Sequence, residues 1–490
     1  MKTKTLPFII YSFILISFSY SFDGDMYDFT LPNGLKVILM EKHGAPKAAV
    51  SLFYHVGSHD DKEGQKGINM ITRQIIFETW ENPPEIQEGT SKYSRLEYEK
   101  KFSELQAHFY SEPSYDKTFF VVEVPVENIE FVLDLVSDIM QNIIITEDIL
   151  NRSKDKHKAD YISWHNESLT GPGMKQEFDM LHSMIPEGHP YKTQTRGILE
   201  QFDTLSVQTC QNYLNTYFVP NNAVLIIVGD IIPEDATELI YQYFSPLKAS
   251  EAIPPGPDLS LSINMIPDNK INIKHHISDK AIPSYGTVFS VNFIYPPLGV
   301  DDVLILEHLD DFINRDANLP GDISKMFTKN FRLLTYGPLS YLFNTLGGGI
   351  FGVGGINILR NGSLNKMQKN ILKTFEFIGE NGIDEEVLNE YKKFKLLDSY
   401  IYCYNYSSIA YKLGNAEIYY DGYRDYNRDI ELLENLSNED IKRVVSTYLI
   451  SDNMITMHAT INEKRWYTPI ASFLFNQILT RISRPDIDIF

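Results

Sequence analysis

The sequence predicts an α+β protein made of two homologous halves of similar length. At 490 residues the chain is too long for one hydrophobic core and suits at least two domains. Residues 250–267 contain the run Ile253-Pro254-Pro255-Gly256-Pro257, which has the composition of an extended linker. Strand-like and helix-like patterns of apolar residues occur on both sides of this linker. We therefore expect an N-terminal half at 22–249 and a C-terminal half at 268–490.

An internal repeat supports this division. Two segments share a serine cap signal, a helix end and an asparagine turn at one constant offset of 231 (436 minus 205, or 448 minus 217): Leu205-Ser206, Thr216-Tyr217-Phe218 and Asn222, and Leu436-Ser437, Thr447-Tyr448-Leu449 and Asn453. Each copy predicts a capped helix that leads through a turn into a strand. Duplication explains the shared order better than chance does.

The first 21 residues have the layout of a secretory signal peptide. Lys2 and Lys4 precede an apolar run at 6–18, and Ser19 and Ser21 supply small residues near a cleavage point. The apolar run is short for a membrane span, although an uncleaved anchor is the alternative. The segment has no arginine, which argues against a mitochondrial transit peptide. We expect a secreted, periplasmic protein.

Composition excludes several classes of function. The formal net charge of -21 argues against nucleic-acid binding, which relies on Lys and Arg to neutralise phosphate. The same charge would favour basic peptides or a basic partner surface, but solubility explains it equally well. Two cysteines, Cys210 and Cys403, exclude a disulfide framework and a cysteine-rich zinc module, and leave a single bridge between them open.

The N-terminal half is predicted to begin with strands. Phe29–Leu39 contains the turn signal Asn33-Gly34, and residues 48–56 form a second β-rich run. Tyr115–Val124 has the pattern of a strand, and 128–141 has apolar residues at helical spacing. In the C-terminal half, strand and helix patterns occur at 292–295, 303–313 and 387–397.

Three motifs in the N-terminal half resemble one peptidase family. They are Val56-Gly57-Ser58 with Gly64, Gly67, Asn69-Met70-Ile71-Thr72-Arg73-Gln74 and Phe77; Gly188-His189-Pro190-Tyr191; and the run from Tyr217 to Asp230. They resemble the glycine-spaced frame around H-x-x-E-H, the H-P-Y motif and the Y-x-P-N-N strand signature of the insulinase, pitrilysin and mitochondrial-processing-peptidase family. The resemblance implies two halves, each an antiparallel sheet packed with helices, that face each other across a cavity.

The resemblance places poor ligands at the zinc-binding positions of that family. The two histidine positions fall on Met70 and Gln74, and the general-base position falls on Arg73. A thioether and a carboxamide are poor replacements for zinc ligands. A guanidinium about 4 Å from a divalent cation repels it by several kcal/mol at an effective dielectric of about 20. Because arginine stays protonated, it also cannot take a proton from water. We therefore expect the zinc site to be lost.

The remaining ligand candidates do not rebuild the site. The family's third ligand, a glutamate on a later helix, falls on Ala159 or Asp160, and a lone carboxylate at Asp160 has no partners. The histidines do not form an obvious pair of ligands either. His55 and His59 lie on a strand-to-loop segment, where a spacing of four has no helical meaning, and His275 and His276 point to opposite faces of a predicted strand. Leu304 occupies the position one turn before His308, where a second ligand would lie.

In the C-terminal half, active members of the family use an arginine and a tyrosine to hold the substrate and the developing oxyanion. Here the corresponding helix is predicted to begin at Ser324-Lys325-Met326-Phe327 and to end at Pro338-Leu339-Ser340-Tyr341, which places Arg332 and Tyr341 near those positions. The spacing of the family is not kept at the arginine. Counting forward from the helix start places the arginine position on Phe331, and counting back from Tyr341 places it on Leu334. The glycine-rich run 347–355 favours a closely packed strand over a substrate loop.

Three functions follow from these observations. The leading hypothesis is a non-catalytic family member that binds peptides and forms a heterodimer with a zinc-bearing homologous peptidase subunit. The second is an active zinc metalloendopeptidase with a displaced site, which metal analysis would reveal. The third is a stand-alone peptide-binding or scaffold protein, which would be recovered from its host without a peptidase partner.

Overall fold

Two β-sheets organise the chain, one in each predicted half. The computed structural model describes residues 24–81, 104–105, 108–166, 181–265, 270–276, 287–315, 335–357, 364–402 and 405–462. The signal segment 1–21, the predicted helix start at 324–327, Arg332 and Cys403 lie outside these residues.

The sheet of the N-terminal half has six strands in the order β1-β2-β6-β3-β5-β4. Their bounds are β1 Asp25–Thr30, β2 Lys36–Glu41, β3 Lys47–Tyr54, β4 His108–Tyr110, β5 Thr118–Pro125 and β6 Ala223–Gly229. All neighbours are antiparallel except β2 and β6, which run parallel. The central strand β6 is buried along its whole length, as its continuous apolar run requires. The short strand β4 lies at the edge.

The sheet of the C-terminal half has five strands in the order β7-β11-β8-β10-β9. Their bounds are β7 Lys270–His276, β8 Thr287–Tyr295, β9 Thr335–Thr345, β10 Gly348–Asn357 and β11 Met454–Asn462. Here too one pair, β7 and β11, is parallel and the others are antiparallel. The implied antiparallel sheets are therefore present, each with one parallel pair.

Helices cover one face of each sheet. In the N-terminal half they are α1 Ile68–Glu81, α2 Ile129–Gln141, α3 Glu147–Asn166, α4 Val207–Tyr217 and α5 Pro233–Phe244. In the C-terminal half they are α6 Val300–Arg315, α7 Leu364–Asn381, α8 Glu385–Tyr402, α9 Tyr406–Tyr419, α10 Arg428–Asn435 and α11 Asn438–Tyr448. The helices and strands predicted from the sequence at 128–141, 292–295, 303–313 and 387–397 coincide with α2, β8, α6 and α8. None of the described helices is both long enough and apolar enough to cross a lipid bilayer.

The repeat is reproduced at the predicted offset. Helices α4 and α11 both have 11 residues, and the side chains of Ser206 and Ser437 accept hydrogen bonds from the backbone N–H groups of Thr209 and Asp440. Beyond each helix an asparagine side chain donates to the last tyrosine carbonyl, Asn222 to Tyr217 at 2.9 Å and Asn453 to Tyr448 at 3.2 Å. Strands β6 and β11 begin at residues 223 and 454, which differ by 231. The two halves are therefore homologous in structure, as predicted.

Each half supplies the cover for the second face of the other half's sheet. Helix α9, from the C-terminal half, packs Ile409, Ala410 and Leu413 against the side chains of Phe53 and Ile226 and their neighbours on the N-terminal sheet. Conversely, residues 181–191 of the N-terminal half pack against the C-terminal sheet. The repeat offset carries 181–191 onto 412–422, within and just beyond α9. Equivalent segments of the two repeats therefore cover the sheet of the opposite half.

Two details of the C-terminal half bear on the predicted site. Tyr341 lies inside strand β9 and not at the end of a helix, so the predicted helix end at 338–341 is wrong. The glycine-rich run forms the turn after β9 and the strand β10, as its favoured interpretation predicted. A Cβ atom at Gly352 would lie 2.3 Å from Cζ of Tyr341, so the tyrosine ring requires glycine on the neighbouring strand.

The contact between Gly414 of α9 and Phe53 of β3 provides a test of the exchanged packing. A Cβ atom at Gly414 would lie 2.2 Å from Cε2 of Phe53, which is buried. Glycine to alanine in a helix ordinarily stabilises by about 1 kcal/mol, but overpacking costs about 1–3 kcal/mol. We expect Gly414→Ala to lower the free energy of unfolding, measured by denaturant titration.

Gly379→Ala in α7 is the matched control for that variant. The nearest atom to its added Cβ, at 2.7 Å, is the Oγ atom of the exposed Ser446, which can rotate away. Gly379→Ala is therefore expected to be close to neutral. A Gly414→Ala variant that is as stable as the wild type would contradict the close packing of α9 on the N-terminal sheet.

Candidate functional site

The segment that resembles the family's zinc motif forms the start of α1. Asp61 organises this start, because its carboxylate accepts the backbone N–H groups of Gly67 at 2.7 Å and Asn69 at 3.2 Å. Burial raises the pKa of Asp61 to about 7, although these two N–H groups act in the opposite direction. Gly67 has a φ of +106°, and a Cβ there would lie 2.3 Å from the ring of Phe202. The glycine frame therefore reports how the loop turns into α1.

The three residues that the resemblance places at the zinc-binding and general-base positions are all buried on α1. Met70, Arg73 and Gln74 are 4%, 8% and 6% exposed. The guanidinium of Arg73 donates from Nη1 to the backbone carbonyl of Ser111 at 3.1 Å and contacts the Ser111 hydroxyl at 3.4 Å. Its Nη2 lies 3.2 Å from Sδ of Met70. The arginine thus occupies the space beside the thioether of Met70.

Helix α3, which carries the positions predicted for the third ligand, packs against α1. Ala159 and Asp160 are both exposed there. His157 is completely buried instead, and its Nε2 donates to the carbonyl of Arg196 at 2.9 Å. Burial lowers the pKa of His157 to about 4, and the charges of Arg196 and Arg73 act in the same direction. Because Nε2 faces a carbonyl, the neutral ring carries its proton on Nε2.

Sequence reasoning missed His157. Its register relative to the family helix is loose, and α3 has no apolar stripe that would reveal which residues face inward. A weak signal exists in the spacing, because Ser153, Lys154 and His157 lie within one turn and all three are buried. Only the packing of α3 on α1 distinguishes His157 from the exposed Ala159 and Asp160.

The side chains at this place do not fit a zinc ion. Arg73 brings a fixed positive charge, Met70 and Gln74 are poor ligands, and Nε2 of His157 is engaged with the carbonyl of Arg196. Among the described residues, no three His, Cys, Asp or Glu side chains are grouped as a metal site. The described histidines that sequence analysis considered are also dispersed: His55 is exposed, His59 contacts Asp60 and Asp116, and His308 contacts Tyr391 and Asp429.

A buried carboxylate, Asp116, joins the two halves next to this site. Its Oδ1 accepts the hydroxyl of Tyr191 at 2.6 Å, and its Oδ2 accepts the hydroxyl of Tyr419 and the backbone N–H of Leu346, both at 3.2 Å. Tyr419 belongs to α9 and Leu346 to the β9–β10 turn, so both contacts come from the C-terminal half. Tyr191 belongs to the Gly-His-Pro-Tyr motif. That motif therefore serves the contact between halves.

His59 completes this polar cluster. Its Nδ1 lies 3.3 Å from Oδ1 of Asp116 and its Nε2 lies 3.1 Å from Oδ2 of Asp60. Burial opposes the charge of the ring, but the contacts with Asp116 and Asp60 outweigh burial and raise the pKa of His59 to about 9. The imidazolium is therefore present at neutral pH and compensates two carboxylates in the interior.

Lys117 adds a second contact between the halves. Its ammonium group lies 5.0 Å and 4.7 Å from the ring centroids of Tyr411 and Tyr419 on α9, and it donates to the side-chain carbonyl of Asn415. Burial lowers the pKa of Lys117 to about 8. Cation–π contacts of this kind hold α9 against the N-terminal sheet.

Of the pair predicted to hold a substrate, only Tyr341 can be placed. Its hydroxyl donates to Oδ1 of Asn292 on β8, and its side chain is half-buried. Arg332 lies outside the described residues, so the pairing of these two residues stays a prediction.

Comparison with known proteins places this architecture among the peptidases. A family model described as "Insulinase (Peptidase family M16)" matches residues 36–197, and one described as "Peptidase M16 inactive domain" matches residues 204–394. A curated relative, the mitochondrial-processing peptidase subunit beta of Caenorhabditis elegans, is 24% identical over 224 residues. That alignment covers 46% of this chain and 45% of the relative, so the chain spans about half the length of that protein.

Two solved structures share the fold over most of this chain. A protease from Helicobacter pylori has a TM-score of 0.72 with 17% sequence identity, covering 89% of this chain and 99% of its own. A structure described as a peptidase M16 inactive domain from Pseudomonas fluorescens has a TM-score of 0.67 with 17% identity, covering 90% of this chain and 99% of its own.

The pKa of His59 predicts a specific dependence of stability on pH. The folded-state pKa of about 9 exceeds the ordinary value of 6.5, so the stabilisation is complete below pH 6.5 and is lost as the pH rises through 9. The difference corresponds to about 3 kcal/mol. We expect the wild type to lose about 2–3 kcal/mol more than His59→Gln between pH 6.5 and pH 9.5, measured by urea unfolding. Equal losses in the two proteins would refute a protonated His59.

Proposed function

Because the chain belongs to the insulinase family of peptidases, we propose that it is a non-catalytic member that binds peptides and pairs with a zinc-bearing homologous subunit. The observation that carries this proposal is the buried guanidinium of Arg73 at the family's general-base position, between the replaced ligands Met70 and Gln74. Together these three residues remove both the metal ligands and the base.

The chemistry of these three residues supports the loss of hydrolysis. A peptidase of this family type needs a zinc-bound water and a base to accept its proton. Arg73 keeps its proton, since even the pKa of about 10 to which burial lowers it lies well above neutral. Gln74 and Met70 have no ionisable group. The residues that remain can position a peptide but cannot activate water.

Retention of the fold beside the altered site supports a role in an assembly. The inter-half cluster of Asp116, His59 and Tyr191 is complete, and both sheets are covered on both faces. A chain that had no further use for this fold would not be expected to keep the arrangement. The C. elegans relative is named as a subunit, and the second family model carries the description of an inactive domain. Both names agree with a partner role.

Export to the periplasm is the proposed location. It rests on the two lysines, the apolar run and the small residues at 1–21. In that compartment a peptide-holding subunit would meet peptides from the cell envelope or the surroundings.

Metal analysis of the isolated chain tests the non-catalytic part of this proposal. After incubation with Zn²⁺ and removal of the excess, we expect far less than stoichiometric zinc, no rise in melting temperature and no peptide cleavage. An H-x-x-E-H family member treated in the same way serves as the positive control. Stoichiometric zinc with chelator-sensitive cleavage would instead establish an active enzyme with a displaced site.

Purification from the native host tests the partner role. A tagged full-length chain is expected to bring down a homologue with an intact H-x-x-E-H motif, identified by mass spectrometry. The recovered complex should contain zinc and cleave peptides, and a Glu→Gln change in the homologue's motif should abolish cleavage. Recovery of the tagged chain alone, at physiological expression, would favour a stand-alone binding protein.

A further inference from the structure

Arg73 is a buried cation that lacks a carboxylate partner among the described residues. Its hydrogen-bonding neighbours there are all uncharged: the carbonyl and hydroxyl of Ser111 and the thioether of Met70. The ring of Phe77 lies 5.6 Å from its guanidinium carbon. Burying a guanidinium without an anion is costly, so arginines with this degree of burial ordinarily have a carboxylate or phosphate in contact.

Two buried donors at this place also lack an acceptor within the described part of the chain. They are Nε of Arg73 and Nε2 of Gln74, which belong to adjacent residues on α1 that are 8% and 6% exposed. A buried donor without an acceptor is destabilising, because it has lost its hydrogen bonds to water. The side chains thus offer one positive charge and two donor nitrogen atoms for which the described structure supplies no acceptor.

We propose that Arg73 and Gln74 form a receptor for a peptide carboxylate at the place where the family binds zinc. A carboxylate has two oxygen acceptors and one negative charge, which matches the charge and donors that are left over. This inference rests on the proposed function, because carboxylates are the anionic groups that an unmodified peptide carries. With Arg73 and Gln74 in these positions, the site would hold an acidic group of a peptide instead of cleaving the peptide.

The charges around Arg73 favour a monoanion. The positive charge of Arg196 and the negative charges of Glu112 and Asp160 all act electrostatically on Arg73, and the two carboxylates are exposed. These two carboxylates repel a dianion such as phosphate more strongly than a carboxylate. Ser111, the residue in direct contact with Arg73, follows the edge strand β4 and precedes Glu112, so the guanidinium lies beside the edge of the N-terminal sheet.

Binding of three fluorescent peptides to the full-length protein tests the proposal. The peptides share one sequence: the first has a free C-terminal carboxylate, the second is C-terminally amidated, and the third is amidated with one internal glutamine replaced by glutamate. The Kd values come from fluorescence anisotropy. We expect the amidated peptide to bind about 10- to 100-fold more weakly than at least one of the two carboxylate peptides. The stronger of those two identifies the source of the carboxylate.

Variants of Arg73 test whether this residue causes the preference for a peptide with a carboxylate. Arg73→Gln should bind all three peptides equally, whereas Arg73→Lys, which keeps the charge but loses the planar fork, should retain part of the preference. Arg424→Gln is the matched control, because Arg424 is 64% exposed and pairs with Asp28 away from α1. It changes the net charge by the same amount and should preserve the preference. Circular dichroism melting curves confirm that each variant is folded.

The outcomes separate this inference from the proposed function. Equal binding of the three peptides by the wild type, or an unchanged preference in folded Arg73→Gln, overturns the carboxylate receptor and leaves peptide binding and partnership intact. Absence of binding for all three peptides overturns both the receptor and the proposed peptide-holding role. A preference that is lost in Arg73→Gln and kept in Arg424→Gln establishes the receptor.

Discussion

Both sheets of this protein have two apolar faces, and that constraint organises the rest of the structure. The helices of one half cover only one face of that half's own sheet. The second face is buried by a segment from the other half, α9 on the N-terminal sheet and residues 181–191 on the C-terminal sheet. Burying each large apolar side chain contributes about 1.5–3 kcal/mol. Neither half can therefore complete its own core, and the two halves stabilise each other.

The polar cluster around Asp116 lies where the segments of the two halves pack against each other. Its carboxylate contacts Tyr191 from the same half and Tyr419 and Leu346 from the other. A buried carboxylate is stable only when it is paired and hydrogen-bonded, and here His59 supplies the charge while the tyrosines and a backbone N–H supply the donors. The cluster consequently specifies one relative position of the halves. The Gly-His-Pro-Tyr motif, which from sequence indicated only a family, has a structural task here.

The region that resembles a zinc motif combines a well-ordered loop and helix start with side chains that do not fit a zinc ion. Asp61 and Gly67 still start α1 in the required direction, and their role concerns backbone geometry. At the positions where the resemblance places the ligands and the base, α1 presents a thioether, an amide and a cation. The hydrogen bonds from Gly67 and Asn69 to Asp61 that start the helix do not involve the side chains of Met70, Arg73 or Gln74. The proposed carboxylate receptor uses the same positions for a different chemistry.

The sequence by itself determined the family, the α+β class and the two homologous halves. These follow from local patterns: a repeat at a constant offset, cap and turn residues, and a motif whose spacing is set by one loop and one helix. Only the tertiary structure decided that His157 is buried rather than Ala159 or Asp160, that Tyr341 lies on a strand, and that Asp116 joins the halves. Each of these depends on which face of an element meets a segment far away in the chain. Long-range packing determines that face, and local spacing in the sequence does not reveal it.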